Sequence, residues 1–72
     1  LIKFFMTTDS KTIKLDQFLK WVGAVSTGGE AKLMIQEGFV KVNGAIETRR
    51  ARKLLDGDVV IIQGKTYRVE LD

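Results

Sequence analysis

The hydrophobic period of this chain changes once, at Gly38, and that change limits the possible folds more than any other feature. Before it, Leu15, Phe18, Leu19 and Val22 recur at helical spacing, which marks one face of a short helix. Asp16, Gln17 and Lys20 fall on the opposite face, and Trp21 borders the apolar stripe. Gly23 follows as a left-handed stop. A second helix is predicted from Thr27, because Thr27-Gly28-Gly29-Glu30 fits a capping box, with the Thr hydroxyl accepting from the Glu30 amide and the Glu30 carboxylate reaching back. Ala31, Met34 and Ile35 form its buried stripe, and Gly38 ends it. So short a connection predicts an αα-hairpin.

After Gly38 the period is two. Val40 and Val42 point one way, and Phe39, Lys41 and Asn43 the other. Asn43-Gly44 predicts a tight hairpin turn, since both residues tolerate positive φ. Asp56-Gly57-Asp58 is another turn. Val59-Val60-Ile61-Ile62 reads as a strand buried on both faces, and Gln63-Gly64 turns the chain into an alternating strand over residues 65–71. Residues 2–6 are a further candidate strand. Leu1 is an unusual first residue, so Met6 is an alternative start, and residues 1–5 are either an edge strand or an addition. Helices followed by strands predict an α+β fold, with a two-helix hairpin packed on a small antiparallel β-sheet.

Seventy-two residues predict one domain near the lower size limit for a self-supporting core. The chain has no cysteine and no histidine, which removes disulfides, thiolate metal sites, the usual general base and the commonest metal ligand. The pair Asp56 and Asp58 is a turn signature without a third ligand. No deep pocket is expected in so small a domain, so paired-carboxylate catalysis is not expected either. These features predict no catalytic residues, no metal and no cofactor. A reducing, cytoplasmic setting is expected, and the first six residues are too few to cross a membrane.

The charge is unevenly placed. Residues 41–53 hold five Lys/Arg against one acid, Glu47, for a net +4, while the other 59 residues hold seven basic and eight acidic side chains, for a net −1. The whole excess of +3 therefore sits in this segment, four of whose five cations belong to the run Arg49-Arg50-Ala51-Arg52-Lys53. A basic cluster beside a rigid hairpin is a docking surface for an anionic partner, against the plainer reading of a solvated charged loop. Alternate side chains of an extended segment face opposite ways, so two or three members of the run are expected to face a ligand together.

The segments in hand resemble the S4 RNA-binding domain. The matching stretch runs from Lys14-Leu15-Asp16-Gln17-Phe18-Leu19 through Gly23 and Glu30-Ala31 to Ile35-Gln36-Glu37-Gly38-Phe39-Val40-Lys41-Val42-Asn43-Gly44, and closes with Leu55-Asp56-Gly57-Asp58-Val59-Val60. The chain is also similar to the small stand-alone bacterial S4 proteins of the YaaA type, through Gly28-Gly29 and the run 49–53. The resemblance implies an S4-like, αL-type fold over the single domain 1–72. Its core match is 14–62, flanked by an N-terminal extension (1–13) and a C-terminal strand (63–72). It further implies RNA binding in a groove between the helical hairpin and the β-hairpin.

On that reading the RNA-binding residues are Lys14, Thr27, Gly28, Gly29, Lys32, Lys41, Asn43, Arg49, Arg50, Arg52 and Lys53. Many S4 domains carry Ser-Arg at the start of the second helix; this chain has Thr27-Gly28 there, so that arginine contact does not carry over. Glycines at 28 and 29 let a phosphate approach helix amides, although Glu30 competes for them. Asn43 is chiefly a turn residue, with base or sugar contact as the weaker alternative. Lys14 and Lys32 line the groove or only solubilise it. Trp21, Phe39 and Tyr67 either stack bases or pack.

The expected partner is structured RNA, rRNA or tRNA, met as a monomer and within a ribosomal subunit or other ribonucleoprotein, with no membrane. Alternatives are a protein-interaction adaptor using the basic run on an acidic surface, or a detached targeting module of an RNA-modifying enzyme. The plausible final strand disfavours the latter, and DNA remains a further option.

Overall fold

The computed structural model describes residues 11–71. The candidate strand at residues 2–6 lies outside them. In chain order the elements are β1 (Ile13–Lys14), α1 (Leu15–Trp21), α2 (Gly28–Gln36), β2 (Val40–Val42), β3 (Ala45–Ile46), β4 (Lys53–Leu54), β5 (Val59–Ile62) and β6 (Lys65–Arg68). The architecture is α+β, as the change of period at Gly38 requires.

Both helices are too short to persist alone, so burial and end chemistry hold them. Leu15, Phe18 and Leu19 of α1 and Ala31 and Ile35 of α2 are buried. Each helix stops on a left-handed glycine, Gly23 at φ +80° and Gly38 at φ +86°. At α2 the Phe39 amide donates back to the Met34 carbonyl (3.0 Å) and the Gly38 amide to the Ile35 carbonyl (3.1 Å). The same double closure ends α1, from Ala24 to Leu19 (2.9 Å) and Gly23 to Lys20 (3.0 Å). Such closure satisfies carbonyls that a helix end would otherwise orphan. The capping box at α2 forms with one change of partner. Thr27 Oγ1 accepts from the Glu30 amide (3.0 Å), but the Glu30 carboxylate accepts from the Ser26 amide (2.9 Å).

The main sheet has the order β3-β2-β5-β6, every pair antiparallel. Asn43 (φ 51°) and Gly44 (φ 87°) make the tight turn between β2 and β3, and Gln63 (φ 52°) and Gly64 (φ 75°) repeat it between β5 and β6. Val40, Val42, Val60 and Ile62 project from one face into the core, where they meet the helices. Burial of each such side chain contributes about 1.5–3 kcal/mol. β5 is not buried on both faces as its run of four apolar residues predicts. Val60 and Ile62 are buried, but Val59 and Ile61 are half-buried, because helices cover only one side of the sheet. The last strand also ends earlier than expected, at Arg68. Beyond it the chain stays tied to the Asp56–Asp58 turn through Gly57 N to Val69 O (2.7 Å), Val69 N to Asp58 O (2.8 Å) and Leu71 N to Asp56 Oδ1 (2.7 Å).

A second sheet, absent from the sequence-based expectation, pairs β1 with β4, placing Ile13 opposite Leu54 and Lys14 opposite Lys53. Leu54 is fully buried in the common core. The chain therefore leaves the main sheet after β3, crosses to the start of α1, and returns as β5 on the other side of β2.

Candidate nucleic-acid interface

The basic run is organised by the acid that precedes it. Glu47 follows β3, donates its amide to the Val40 carbonyl (2.9 Å), and is 6% exposed. Its Oε2 accepts from the Arg49 amide (3.0 Å) and Arg49 Nε (2.9 Å), and its Oε1 from Arg49 Nη2 (3.2 Å) and Arg52 Nη1 (2.8 Å). Donors from both arginines, Arg49 first, hold the Glu47 carboxyl well below its usual range, at about 2. The same contacts raise Arg49 further. The two arginines differ in what they leave for a ligand, since the Arg49 side chain is 74% exposed and that of Arg52 31%.

The backbone of the run performs a second task. Helix α1 has no side-chain N-cap, because Lys14 occupies that position. Instead the Leu15 amide donates to the Arg52 carbonyl (2.8 Å) and the Asp16 amide to the Arg50 carbonyl (3.1 Å), while Gln17 N donates to Asp16 Oδ1 (2.8 Å). The run thus sits on the start of α1 with its carbonyls turned toward the helix. These amides are occupied, so this helix end offers no open anion site. What it offers is side-chain charge. Lys14 and Lys53 face each other across β1 and β4, both exposed, and exposed Arg50 is tied to the same helix start. None of these three forms an ion pair among the described residues. Like charges set directly opposite each other destabilise a strand pair, and an anion between them relieves the repulsion.

The other expected site residues are not gathered here. Thr27, Gly28 and Gly29 lie past the C-terminal end of α1, a helix about 10 Å long, whereas the run sits at its N-terminal end. Thr27 is committed to its cap. A Cβ would meet nothing within 4 Å at Gly28 and only Thr27 Oγ1 at 3.9 Å at Gly29, so packing does not require either glycine. Lys32 is exposed on α2. Lys41 lies on the face of β2 turned away from the helices, so it cannot line a groove between the helical hairpin and the sheet. Asn43 uses its side-chain amide structurally, donating through Nδ2 to Asp58 Oδ1 (3.1 Å) and accepting at Oδ1 from the Val59 amide (3.0 Å).

Among the aromatics, Tyr67 packs edge-on against Phe18, with centroids 6.5 Å apart. Trp21 also meets Phe18 edge-on (6.3 Å) but is 64% exposed, and Phe39 is 59% exposed. Asp58 Oδ2 accepts from the Leu55 amide (2.8 Å), so the aspartates of that turn organise backbone. No group of three or more possible metal ligands occurs among the described residues, nor any helix long and apolar enough to cross a membrane. Sequence reasoning missed the role of Glu47. Arg49 lies at strand spacing, two residues on, but Arg52 lies five residues on, so no single period signalled the pair.

Comparison with known proteins fits this geometry. A family model described as the S4 domain matches residues 6–70. A probable ribosome maturation protein, RlbA of Bacillus subtilis (strain 168), is 44% identical over 59 residues, covering 82% of this chain and 83% of that protein. The putative RNA-binding protein YbcJ of Escherichia coli (strain K12) is 40% identical over 57 residues, covering 79% and 81%. The solution structure of YbcJ, described as revealing a motif involved in RNA binding, superimposes with a TM-score of 0.65 at 35% identity over 92% of this chain and 82% of that one. Heat shock protein 15 of Vibrio cholerae shares the fold, with a TM-score of 0.75 at 20% identity, covering 86% of this chain and 66% of that one. A match that begins ahead of β1 and runs past β6, joined to relatives of similar length, makes this chain a member of the S4 domain family.

Proposed function

We propose that this protein is a non-catalytic RNA-binding protein that docks on structured RNA through the basic surface at the start of α1. One observation carries the reading. Strand pairing brings Lys14 opposite Lys53 and seats the run 49–53 on the same helix end, so the exposed cations Lys14, Arg49, Arg50 and Lys53 share one end of α1. Arg49, Arg50, Lys53 and Lys14 meet phosphates, with Arg52 contributing its remaining donors. Lys41 serves as an outlying contact on the far face of the sheet, and Thr27, Gly28, Gly29 and Lys32 as a second backbone contact at the other end of the helical hairpin. The names of the relatives, one a probable ribosome maturation protein and one a putative RNA-binding protein, support RNA as the ligand and a ribosomal particle as its setting, within which rRNA or tRNA is the class we assign.

Side chains cannot read base edges in the deep major groove of A-form RNA, so recognition is of shape and backbone. On the single-strand coefficient, neutralising about four phosphates gives a log–log salt slope near −3, and binding then weakens roughly fifty-fold between about 50 and 200 mM salt. The test is titration of a labelled structured RNA with the wild type and with Arg49→Ala/Arg50→Ala/Arg52→Ala at two salt concentrations. The variant is expected to bind far more weakly and with a shallower slope. Equal binding, insensitive to salt, would overturn the reading. An equimolar competition between duplex DNA and structured RNA separates the two nucleic acids.

A further inference from the structure

Glu47 is out of place on a surface that binds a polyanion. It is the one buried charged residue of the described chain, and it sits among the cations assigned to the ligand. By charge alone its loss should improve RNA binding. The contacts argue the opposite. Glu47 is fixed to β2 through its amide on Val40, its carboxylate gathers Arg49 and Arg52, and the Arg50 and Arg52 carbonyls hold the first amides of α1. Glu47 thus joins the hairpin to the basic segment, and the carbonyls of that segment carry the connection on to the helix. Apart from the Glu47 carboxylate, only the Arg52 amide to Arg49 carbonyl bond (3.2 Å) orders residues 47–52 within the segment.

We propose that Glu47 is the positioning residue of the RNA-binding surface, its carboxylate fixing residues 49–52 on the start of α1 so that Lys14, Arg50 and Lys53 present one preorganised set of cations. The role rests on the RNA reading above. An ordered cationic set loses little conformational freedom on binding, whereas a loose one must be ordered by the RNA, which lowers affinity. A bidentate arginine–carboxylate fork suits this task because it fixes orientation as well as distance.

The experiment compares the wild type, Glu47→Gln and Arg49→Lys by RNA titration at two salt concentrations, with amide hydrogen exchange on the same samples. Glu47→Gln makes the protein one unit more positive. It is nevertheless expected to bind about tenfold more weakly, with a salt slope no shallower than that of the wild type, because no phosphate-contacting cation has been removed. Exchange at Leu15, Asp16 and Arg49 should accelerate, while that at Val60 in the main sheet should not. Arg49→Lys keeps the net charge but loses the fork, and is expected to bind a few-fold more weakly and to speed exchange at Leu15 and Asp16; it decides the matter if Glu47→Gln does not fold. Unchanged or tighter binding by a folded Glu47→Gln, or by Arg49→Lys if that variant must decide, overturns the positioning role alone. So does unchanged exchange at Leu15 and Asp16. A wild type that ignores structured RNA overturns the RNA reading as well, so the two failures are told apart in one titration.

Discussion

The two helices begin in opposite ways. Helix α2 carries its cap within its own sequence, where Thr27 accepts from Glu30 and Glu30 from Ser26, all within five consecutive residues. Helix α1 has a lysine where the cap belongs and borrows the carbonyls of Arg50 and Arg52 from a segment some 35 residues later in the chain. The first arrangement is local and concerns one helix. The second couples the helix to the basic surface, so folding at that end and presentation of charge become a single event.

The largest effect on this contrast should come from Leu54→Ala. Leu54 anchors β4 in the core, and its truncation is expected to cost about 2–5 kcal/mol in denaturant unfolding and to release the start of α1 before that of α2. Hydrogen exchange that rose equally at both helix starts would break the comparison. Next comes acid. The Glu47 carboxyl lies at about 2 when folded against an ordinary 4.5, so its contribution to stability is complete above about pH 4.5 and is lost as the pH falls toward 2. The stability gap between the wild type and Glu47→Gln should therefore be constant near neutrality and close on acidification, as urea titrations from pH 7 to 2 would show.

Smaller effects follow at α2. Thr27→Ala should cost about 1 kcal/mol without altering exchange at Leu15 or Asp16. Gly28→Ala has room for its methyl and should stabilise the helix by up to about 1 kcal/mol. If it also weakens RNA binding, the start of α2 is a backbone contact; unchanged RNA binding confines the interface to the start of α1. The smallest expected change is that of Lys14→Ala. It should raise thermal stability by a few tenths of a kcal/mol through relief of the Lys14–Lys53 repulsion, while weakening RNA binding. A loss of both would mean that Lys14 supports the strand pair.

What could be read from the sequence followed the same division between local and borrowed. The capping box, the left-handed stops at Gly23 and Gly38, and the turn at Asn43-Gly44 are short-range chemistry, and each formed. Core membership of Phe18, Leu19, Ile35, Val40 and Val42 followed from periodicity. The β1–β4 pair was invisible, because two residues per strand carry no period and Lys53 read only as a charge. The outward half-exposure of Val59 and Ile61 depends on helices covering one face only, which a run of four apolar residues cannot encode. At the candidate site the cations could be found by counting, but their arrangement could not. Lys14 meets Lys53 only through tertiary pairing, and Asn43 is committed to Asp58 and Val59, across the sheet, whereas the outward turn of Lys41 did follow from the period of two.

Residues 47–58 form a strap that leaves the sheet on one side of β2 and rejoins it on the other. The strap is pinned by Glu47, by the carbonyls of Arg50 and Arg52, and by Leu54. The side chains of Arg50, Ala51 and Lys53 are exposed and hold none of these pins. Those three positions can be rewritten without disturbing the frame, so the fold separates the part that must stay fixed from a part whose surface chemistry is free to vary.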